Sequence, residues 1–216
     1  MTSRTKIIAV ATQKGGAGKS TIAVHLAVEA LRSKKSAQVV LLDLDPQGSV
    51  AGWAERRALE DPIVLSAMPG NLSSYLDHAR SEGIDWVVID TPPHAGATID
   101  AAVRAADLVV IPIRPGPFDI DAAAGTVEIL GQTGGRGLFV LSQVAPTGSE
   151  GDDTAEVLAD LYPGIPIAKA RLGQRKAFMQ ALISGQAITE FERPSSKAVG
   201  EIQALFSQVR HALRGS

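Results

Sequence analysis

The chain has 216 residues, a formal net charge of −2, four histidines and no cysteine. The absence of cysteine excludes a disulfide framework, thiolate metal sites and iron–sulfur clusters held by cysteine. The length fits a single domain, residues 1–216, and apolar residues at 45% with aromatics at 4% predict a core of Val, Ile, Leu and Ala.

Apolar runs alternate with helical patterns along most of the chain. Strands are predicted at 6–12, 38–43, 62–67, 85–90, 107–113, 137–143 and 165–168. Helices are predicted at 19–34, 50–59, 71–82, 97–106, 119–133, 152–162, 173–184 and 195–214. This alternation predicts a doubly wound α/β fold, a mostly parallel sheet flanked by helices.

Neither a signal peptide nor a membrane span is predicted from the sequence. The N-terminal apolar run is only a few residues long and ends in a glycine-rich loop, and no stretch approaches the length that a span requires. We therefore expect a cytoplasmic protein.

The glycine-rich loop follows the first predicted strand and reads Lys-Gly-Gly-Ala-Gly-Lys-Ser over residues 14–20. Such a loop turns backbone N–H groups toward phosphate oxygens. Lys19 would place its charge between the terminal phosphates, and the Ser20 hydroxyl would ligate Mg²⁺. Lys14 lies inside the loop and puts a second ammonium group next to a triphosphate.

Three carboxylates follow predicted strands. Asp90 ends the run Trp86–Ile89, and a carboxylate there is costly to bury unless it meets a cation such as Mg²⁺ held through water. Asp43 and Asp45 alternate with Leu42 and Leu44, so they point to the same side of an extended segment. The carboxyl ends of parallel strands share one edge of a sheet, which predicts a single crevice for these side chains and the loop.

Four segments together resemble the ParA/MinD family of ATPases. Residues 14–20 resemble that family's deviant Walker A box, 42–49 its switch I, 87–93 its Walker B strand and switch II, and 111–117 its proline-rich turn. The resemblance covers nearly the whole chain and is greatest to short, ParF-like plasmid-partition ParA proteins. It implies the deviant Walker A type of the P-loop NTPase fold.

The resemblance also implies a Mg²⁺-dependent ATP hydrolase that is slow alone and forms a homodimer around two ATP molecules. Lys14, Lys19 and Asp45 would be catalytic, with Asp45 positioning the attacking water and Lys14 reaching the partner's phosphates. A Lys14 that binds only its own phosphates remains the alternative. The predicted metal residues are Ser20, Asp43 and Asp90. The predicted nucleotide contacts are Lys14, Gly15, Gly16, Ala17, Gly18, Lys19, Ser20, Thr21 and Pro115.

Positive charge is concentrated near the C-terminus. Residues 1–168 hold 13 Lys/Arg and 20 Asp/Glu, whereas residues 169–216 hold 8 Lys/Arg and 3 Asp/Glu. The asymmetry predicts contact with an anion. By resemblance this is nonspecific DNA, bound by the ATP dimer and placing the protein on the nucleoid. The predicted DNA-binding residues are Arg171, Arg175, Lys176 and Arg210.

The function expected from the resemblance is partition of a plasmid or chromosome, with a small DNA-bound adaptor protein that stimulates hydrolysis. Higher assemblies of the dimer are compatible with the resembling group. Two alternatives use a related ATPase. One is a positioner of another cargo, and the other is a MinD-like membrane regulator whose last helix, 195–214, would be the anchor. Core packing of that helix is favoured over anchoring, because Glu201 and Gln208 interrupt its basic face. A metabolic ligase of the same superfamily ranks below these.

Overall fold

The computed structural model describes residues 4–94 and 96–214. Six parallel strands form one sheet in the order β3-β2-β4-β1-β5-β6. The strands are β1 (Lys6–Val10), β2 (Val39–Asp43), β3 (Ile63–Ser66), β4 (Trp86–Asp90), β5 (Leu108–Ile113) and β6 (Gly137–Leu141). The mostly parallel α/β sheet expected from the sequence is confirmed.

Helices cover both faces of the sheet. They are α1 (Lys19–Arg32), α2 (Ser49–Arg56), α3 (Leu72–Ser81), α4 (Gly96–Ala105), α5 (Pro117–Thr133), α6 (Glu150–Leu161), α7 (Lys176–Ile183), α8 (Ile188–Phe191) and α9 (Lys197–Arg214), with a 3₁₀ turn at Pro69–Asn71. Alternate strand residues supply two cores. Ile8 and Val88 face α1 and α9, while Ile7 and Val87 face α3, α4 and α5. Residues buried on both faces explain why the central strands read as unbroken apolar runs.

The last helix packs on the core. Ile202, Leu205, Phe206 and Val209 of α9 are all buried against the α1 side of the sheet. The prediction of core packing for this helix is therefore confirmed. Within the described ranges, no helix combines the length and the apolar character that a membrane crossing needs.

Two short elements differ from the sequence prediction. The strand predicted at 165–168 is reduced to a single bridge between Phe139 and Ile167. Pro166 accepts a bond from the Phe139 N–H at 2.9 Å but has no N–H to return, so a regular ladder cannot form there. The four-residue helix α8 was not predicted, because one helical turn carries no detectable apolar period.

Arg57 joins the end of α2 to the C-terminal third of the chain. Its Nη1 and Nη2 donate to the two carboxylate oxygens of Glu190 at 2.8 and 2.7 Å, and its Nε donates to the Asp61 carbonyl at 2.6 Å. The guanidinium stacks on Trp53 at 4.8 Å, and the Arg57 side chain is only 3% exposed. This bidentate, desolvated pair fixes α2 against the α7–α8 turn.

The α7–α8 turn itself requires a glycine. Gly185 has φ 71°, and a Cβ there would lie 2.3 Å from the Arg56 carbonyl oxygen. No side chain fits so close to a backbone atom, so only glycine lets this turn meet the end of α2.

We expect Arg57→Ala to lower the free energy of unfolding by about 3 kcal/mol, because it leaves the half-buried Glu190 carboxylate without its partner. Urea denaturation followed by circular dichroism measures the change. Arg80→Ala is the matched control, since Arg80 pairs with Asp77 in solvent, and it should cost less than about 0.5 kcal/mol. Equal losses in the two variants would contradict the role assigned to Arg57.

Candidate nucleotide-binding site

The phosphate loop, residues 14–20, joins β1 to α1 at the carboxyl edge of the sheet. Gly16 and Gly18 have φ values of 75° and 89°, a left-handed conformation that glycine adopts without strain. Gly18 caps α1 without a side-chain hydrogen bond, so the first-turn N–H groups remain available to a ligand. The loop is therefore shaped as an anion cradle at a helix N-terminus.

The two lysines of the loop lie in different environments. Lys19 is 6% exposed, and its Nζ donates to the Lys14 carbonyl at 2.8 Å. Burial lowers the pKa of Lys19, and the carboxylates of Asp90 and Asp45 partly offset that effect. Lys14 is half-buried, and its ammonium group makes no hydrogen bond or ion pair within residues 4–94 and 96–214.

Two residues just after β6 hold the phosphate loop through hydrogen bonds to its backbone carbonyl groups. The Ser142 hydroxyl donates to the Ala17 carbonyl at 2.8 Å, and the Gln143 amide donates to the Gly16 carbonyl at 2.6 Å. Gln143 also has an unusual φ of 53°. The sequence analysis missed both residues. One signal was present, because they are the last two residues of the strand predicted at 137–143 and so lie at a carboxyl strand end.

A cavity of about 630 Å³ opens beside the loop. It is lined by Gly15, Gly16, Gly18, Lys19, Ser20, Thr21, Val24, Asp45, Gly48, Ser49, Gly52, Trp53, Arg56, Pro93, Gln143 and Leu182. The structure thus gathers most of the predicted nucleotide contacts around one space. Lys14 and Ala17 are not among the lining residues, and neither is Pro115.

A second, more apolar cavity of about 630 Å³ adjoins the first. The residues that line both are Gly18, Thr21, Arg56, Gln143 and Leu182. Its other walls come from the segment after β6 and from α7, including Leu172, Phe178 and Ile183. Pro115 is absent from this lining too. The proline-rich turn follows β5, whereas the apolar walls follow β6, so the prediction for Pro115 as a nucleotide contact gains no support.

Asp90 lies at the floor of the site. It is fully buried, and neither carboxylate oxygen has a hydrogen-bond partner of good geometry among the described residues. Burial raises its pKa to about 7. The nearby Ser20 hydroxyl opposes this rise, and the neighbouring Asp43 carboxylate adds to it.

Asp43 and Asp45 have separate roles in the turn before α2. Asp43 is buried, and its two oxygens accept backbone N–H groups of Asp45, Val50 and Ala51 at 3.0 to 3.1 Å. It therefore holds the turn and the start of α2. Asp45 is half-buried and lines the cavity, and one of its oxygens accepts the Gln47 N–H at 2.9 Å.

The protein side chains of this site would supply only some of the ligands of a magnesium ion. Throughout the described part of the chain, no three His, Cys, Asp or Glu side chains gather in a way that could hold a metal ion. Mg²⁺ in nucleotide sites takes one or two carboxylates and completes its shell with water and phosphate oxygens. The Ser20 hydroxyl and the orphaned Asp90 carboxylate match that limited donor set.

The predicted DNA-binding residues divide between two surfaces. Arg171 pairs with Asp152 at 2.6 Å, and Arg175 makes several hydrogen bonds to Glu201. Exposed Lys176 begins α7 beside Arg175, and both line the apolar cavity. Arg210 lies elsewhere, with its guanidinium 6.0 Å from the ring centre of Phe206 on α9.

Comparison with known proteins gives one family. Residues 8–188 match the CobQ/CobB/MinD/ParA nucleotide binding domain. Maintenance of carboxysome distribution protein A of Gloeobacter kilaueensis is 33% identical over 211 residues, which cover 96% of this chain and 94% of that protein. Protein ParA of Rhizobium radiobacter is 27% identical over 224 residues, 96% of this chain and 99% of that protein.

Solved structures with the same fold include two proteins at 20% identity. Apo McdA of Cyanothece has a TM-score of 0.78 and covers 97% of this chain and 100% of that chain. MinD of Pyrococcus horikoshii, solved with Mg-ADP, has a TM-score of 0.76 and covers 98% of both chains. The sequence match and the shared fold agree with the loop geometry, and the chain belongs to the CobQ/CobB/MinD/ParA nucleotide-binding family as a ParA/MinD-type ATPase.

Proposed function

We propose that this protein is an ATP-driven positioning ATPase, which binds MgATP, dimerises across the nucleotide and moves a large cargo over DNA with the help of an adaptor protein. The observation that carries the proposal is the phosphate loop, with a buried Lys19 inside the cavity and, just outside it, a Lys14 that no described residue neutralises. Ammonium groups in these two positions could contact a triphosphate from two sides.

Hydrolysis in this proposal depends on positioning and charge. Loop N–H groups and Lys19 would stabilise the charge that develops on the phosphate oxygens. Asp45 lines the cavity and, being half-buried, can accept a hydrogen bond from an attacking water. It would orient that water rather than act as a strong base.

Magnesium would be held by Ser20 directly and by Asp90 through water. A bound Mg²⁺ neutralises charge on the phosphates, and it would also give the orphaned Asp90 carboxylate the cation that its burial demands. Asp43 already satisfies three backbone N–H groups, so we assign it to the turn and to the electrostatics of the site, with no direct bond to the metal. The apolar cavity behind Gln143 is suited to a nucleotide base.

We place the proposed dimer interface at the same carboxyl edge of the sheet as the nucleotide site. Lys14 carries an ammonium group that no described residue neutralises, and Phe118 at the start of α5 is 75% exposed. An exposed aromatic side chain beside a polar site is typical of an interface. In a dimer formed there, Lys14 would act on the partner's phosphates, as an arginine finger does.

The cargo is proposed from the relatives. Protein ParA and a protein named for the maintenance of carboxysome distribution both align along nearly all of this chain. The second is 33% identical, so a protein body is a cargo candidate beside a plasmid or chromosome. In either case DNA would be the track, which places the protein on the nucleoid, and the adaptor would link ATPase and cargo.

We expect Lys19→Ala to weaken ATP binding by at least about 100-fold, because it removes the buried ammonium group that lines the cavity. Isothermal titration with a slowly hydrolysed ATP analogue and Mg²⁺ measures it. Lys35→Ala removes an exposed lysine away from the cavity and serves as the control, with affinity unchanged. ATP binding by Lys19→Ala at the parental affinity would refute the site.

Mixing two inactive variants tests whether Lys14 acts across a dimer. Lys14→Ala and Asp45→Ala should each lower turnover by about 100-fold or more, since each removes a group needed in the transition state. A heterodimer of the two regains one complete site only if Lys14 acts on its partner's nucleotide. A 1:1 mixture should then recover about one quarter of the parental rate, because half of the dimers carry one working site each.

The control for this experiment is a mixture of Lys14→Ala with a chain that carries both Lys14→Ala and Asp45→Ala. That second chain supplies no Lys14 to its partner, so its mixture should stay as inactive as Lys14→Ala alone. Failure of the mixture of Lys14→Ala with Asp45→Ala to recover turnover, with both variants still binding ATP and dimerising, would show that Lys14 serves its own phosphates.

DNA binding is tested on the α7 surface with variants of opposite expected sign. Arg175→Ala with Lys176→Ala should weaken retention of the ATP-bound protein on random duplex DNA and reduce its salt dependence. Glu201→Gln should strengthen retention, because it removes the carboxylate that pairs with Arg175 but keeps an acceptor for the Gly173 N–H. Unchanged retention in both variants would remove this surface from the proposal.

A further inference from the structure

Helix α2 ends where the two cavities at the carboxyl edge of the sheet meet. One cavity lies beside the phosphate loop, and the other, more apolar cavity is bounded by α7. Of the described residues that line both, Arg56 is the one with a charged side chain, and it is the last residue of α2. A molecule that occupies both cavities therefore passes a guanidinium group at their junction.

The guanidinium group of Arg56 extends to both sides of this junction. Its Nη2 donates to the carbonyl of Leu182, near the C-terminal end of α7, at 3.4 Å. Its Nη1 lies over Gly52, one turn earlier on α2, where an added Cβ would be 3.6 Å away. Gly52 lines the cavity beside the phosphate loop. Side chains on a helix lean toward its N-terminus, and here that direction leads toward the turn of Asp45.

Arg56 keeps hydrogen-bond donors and a full charge for a ligand. Within residues 4–94 and 96–214 it makes no ion pair, and its bond to the Leu182 carbonyl is long. The next residue, Arg57, is different, because it donates to both oxygens of Glu190 and to the Asp61 carbonyl. Two adjacent arginines thus have different surroundings. Arg57 is bound within the protein, whereas Arg56 faces open space.

The other charges around the two cavities leave a gap that Arg56 fills. In the described lining of the cavity beside the loop, the remaining charged residues are Lys19 and Asp45. In the apolar cavity they are Arg175, which binds Glu201, and Lys176. Lys19 belongs to the phosphate loop, so a polyanion bound there would meet its second cation at the junction.

We propose that Arg56 binds the α-phosphate of the nucleotide, the phosphate group next to the ribose. The inference rests on the proposed function, which places the terminal phosphates at the loop and the base in the apolar cavity. The ribose and the α-phosphate connect these two parts of a nucleotide, so they lie where the cavities join. A guanidinium group binds phosphate oxygens through paired, charge-assisted N–H bonds. Thr21, on the first turns of α1, lines the same junction.

This contact gives α2 a direct hold on the nucleotide. The phosphate loop and the first turn of α1 bind phosphates from one side, and Arg56 approaches from the end of α2. A phosphate oxygen carries negative charge, so it is a stronger acceptor than the Leu182 carbonyl that Arg56 contacts at 3.4 Å. The same side chain would therefore serve ATP and ADP alike, because both carry the α-phosphate.

Isothermal titration of Arg56→Gln tests the assignment with two probes, ADP and a slowly hydrolysed ATP analogue, each with Mg²⁺. Both affinities should fall by the same factor, about tenfold or more, because both nucleotides lose the same charge-assisted hydrogen bonds. Arg80→Gln is the matched control, since Arg80 pairs with Asp77 away from both cavities. Its affinities should stay within about twofold of the parent. A loss confined to the ATP analogue would place Arg56 at the terminal phosphate and overturn the assignment.

The salt dependence of ADP binding separates a phosphate contact from a structural role. Salt screens ionic contacts, so a protein that has lost one should lose less affinity as salt is raised. We expect a shallower salt dependence for Arg56→Gln than for the parent and Arg80→Gln. Weaker binding with the parental salt dependence would mean that Arg56 only shapes the cavities, and would refute the phosphate contact. Urea midpoints within error of the parent, measured without nucleotide, establish that both variants are folded.

The parent protein distinguishes failure of this inference from failure of the proposed function. If the parent binds both nucleotides and Arg56→Gln binds them with equal affinity, the role of Arg56 is wrong and the nucleotide site stands. If the parent binds neither nucleotide, the proposed function is wrong and the role of Arg56 falls with it.

Discussion

The site depends on charges that are buried before any ligand arrives. Lys19 and Asp90 are both largely removed from water, and the hydrogen bond from Lys19 goes to a backbone carbonyl rather than to a carboxylate. Burial favours the neutral form of each side chain, so it lowers the pKa of Lys19 and raises the pKa of Asp90. A desolvated charge without a partner is costly, so the fold stores free energy that a triphosphate with its cation can release. The two-layered hydrophobic core is what keeps the loop in that position.

The phosphate loop could be predicted because the residues that form it are adjacent in the sequence. Seven adjacent residues after an apolar strand define the anion cradle, and strand ends place Asp45 and Asp90 at the same edge. Ser142 and Gln143 support the loop from more than 120 residues away, so the loop motif itself does not indicate them, and only their position at a strand end does. The α8 turn also escaped prediction, because one helical turn has no apolar period and its position depends on the Arg57–Glu190 pair. The strand predicted near Ile167 is reduced to one bridge because Pro166 has no N–H to donate.

The distribution of basic residues shows what composition cannot reveal. The sequence locates positive charge near the C-terminus, but the structure pairs Arg171 with Asp152 and Arg175 with Glu201. Six basic and two acidic residues line a cavity of about 730 Å³ at the amino edge of the sheet. This cavity brings Arg4 and Lys6 beside the last turns of α9. A count of charges along a sequence does not show which charges form ion pairs or which distant segments lie next to each other. Both determine where the protein attracts an anion.

Helix α2 connects the nucleotide edge to the C-terminal third of the protein. At its start, Asp43 holds the N–H groups of Val50 and Ala51, next to the turn that presents Asp45 to the cavity. Just after its end, Arg57 binds Glu190, and Gly185 allows the α7–α8 turn to touch the same helix. Contacts at both ends of this helix thus link the turn that carries Asp45 to the α7–α8 region without passing through the sheet.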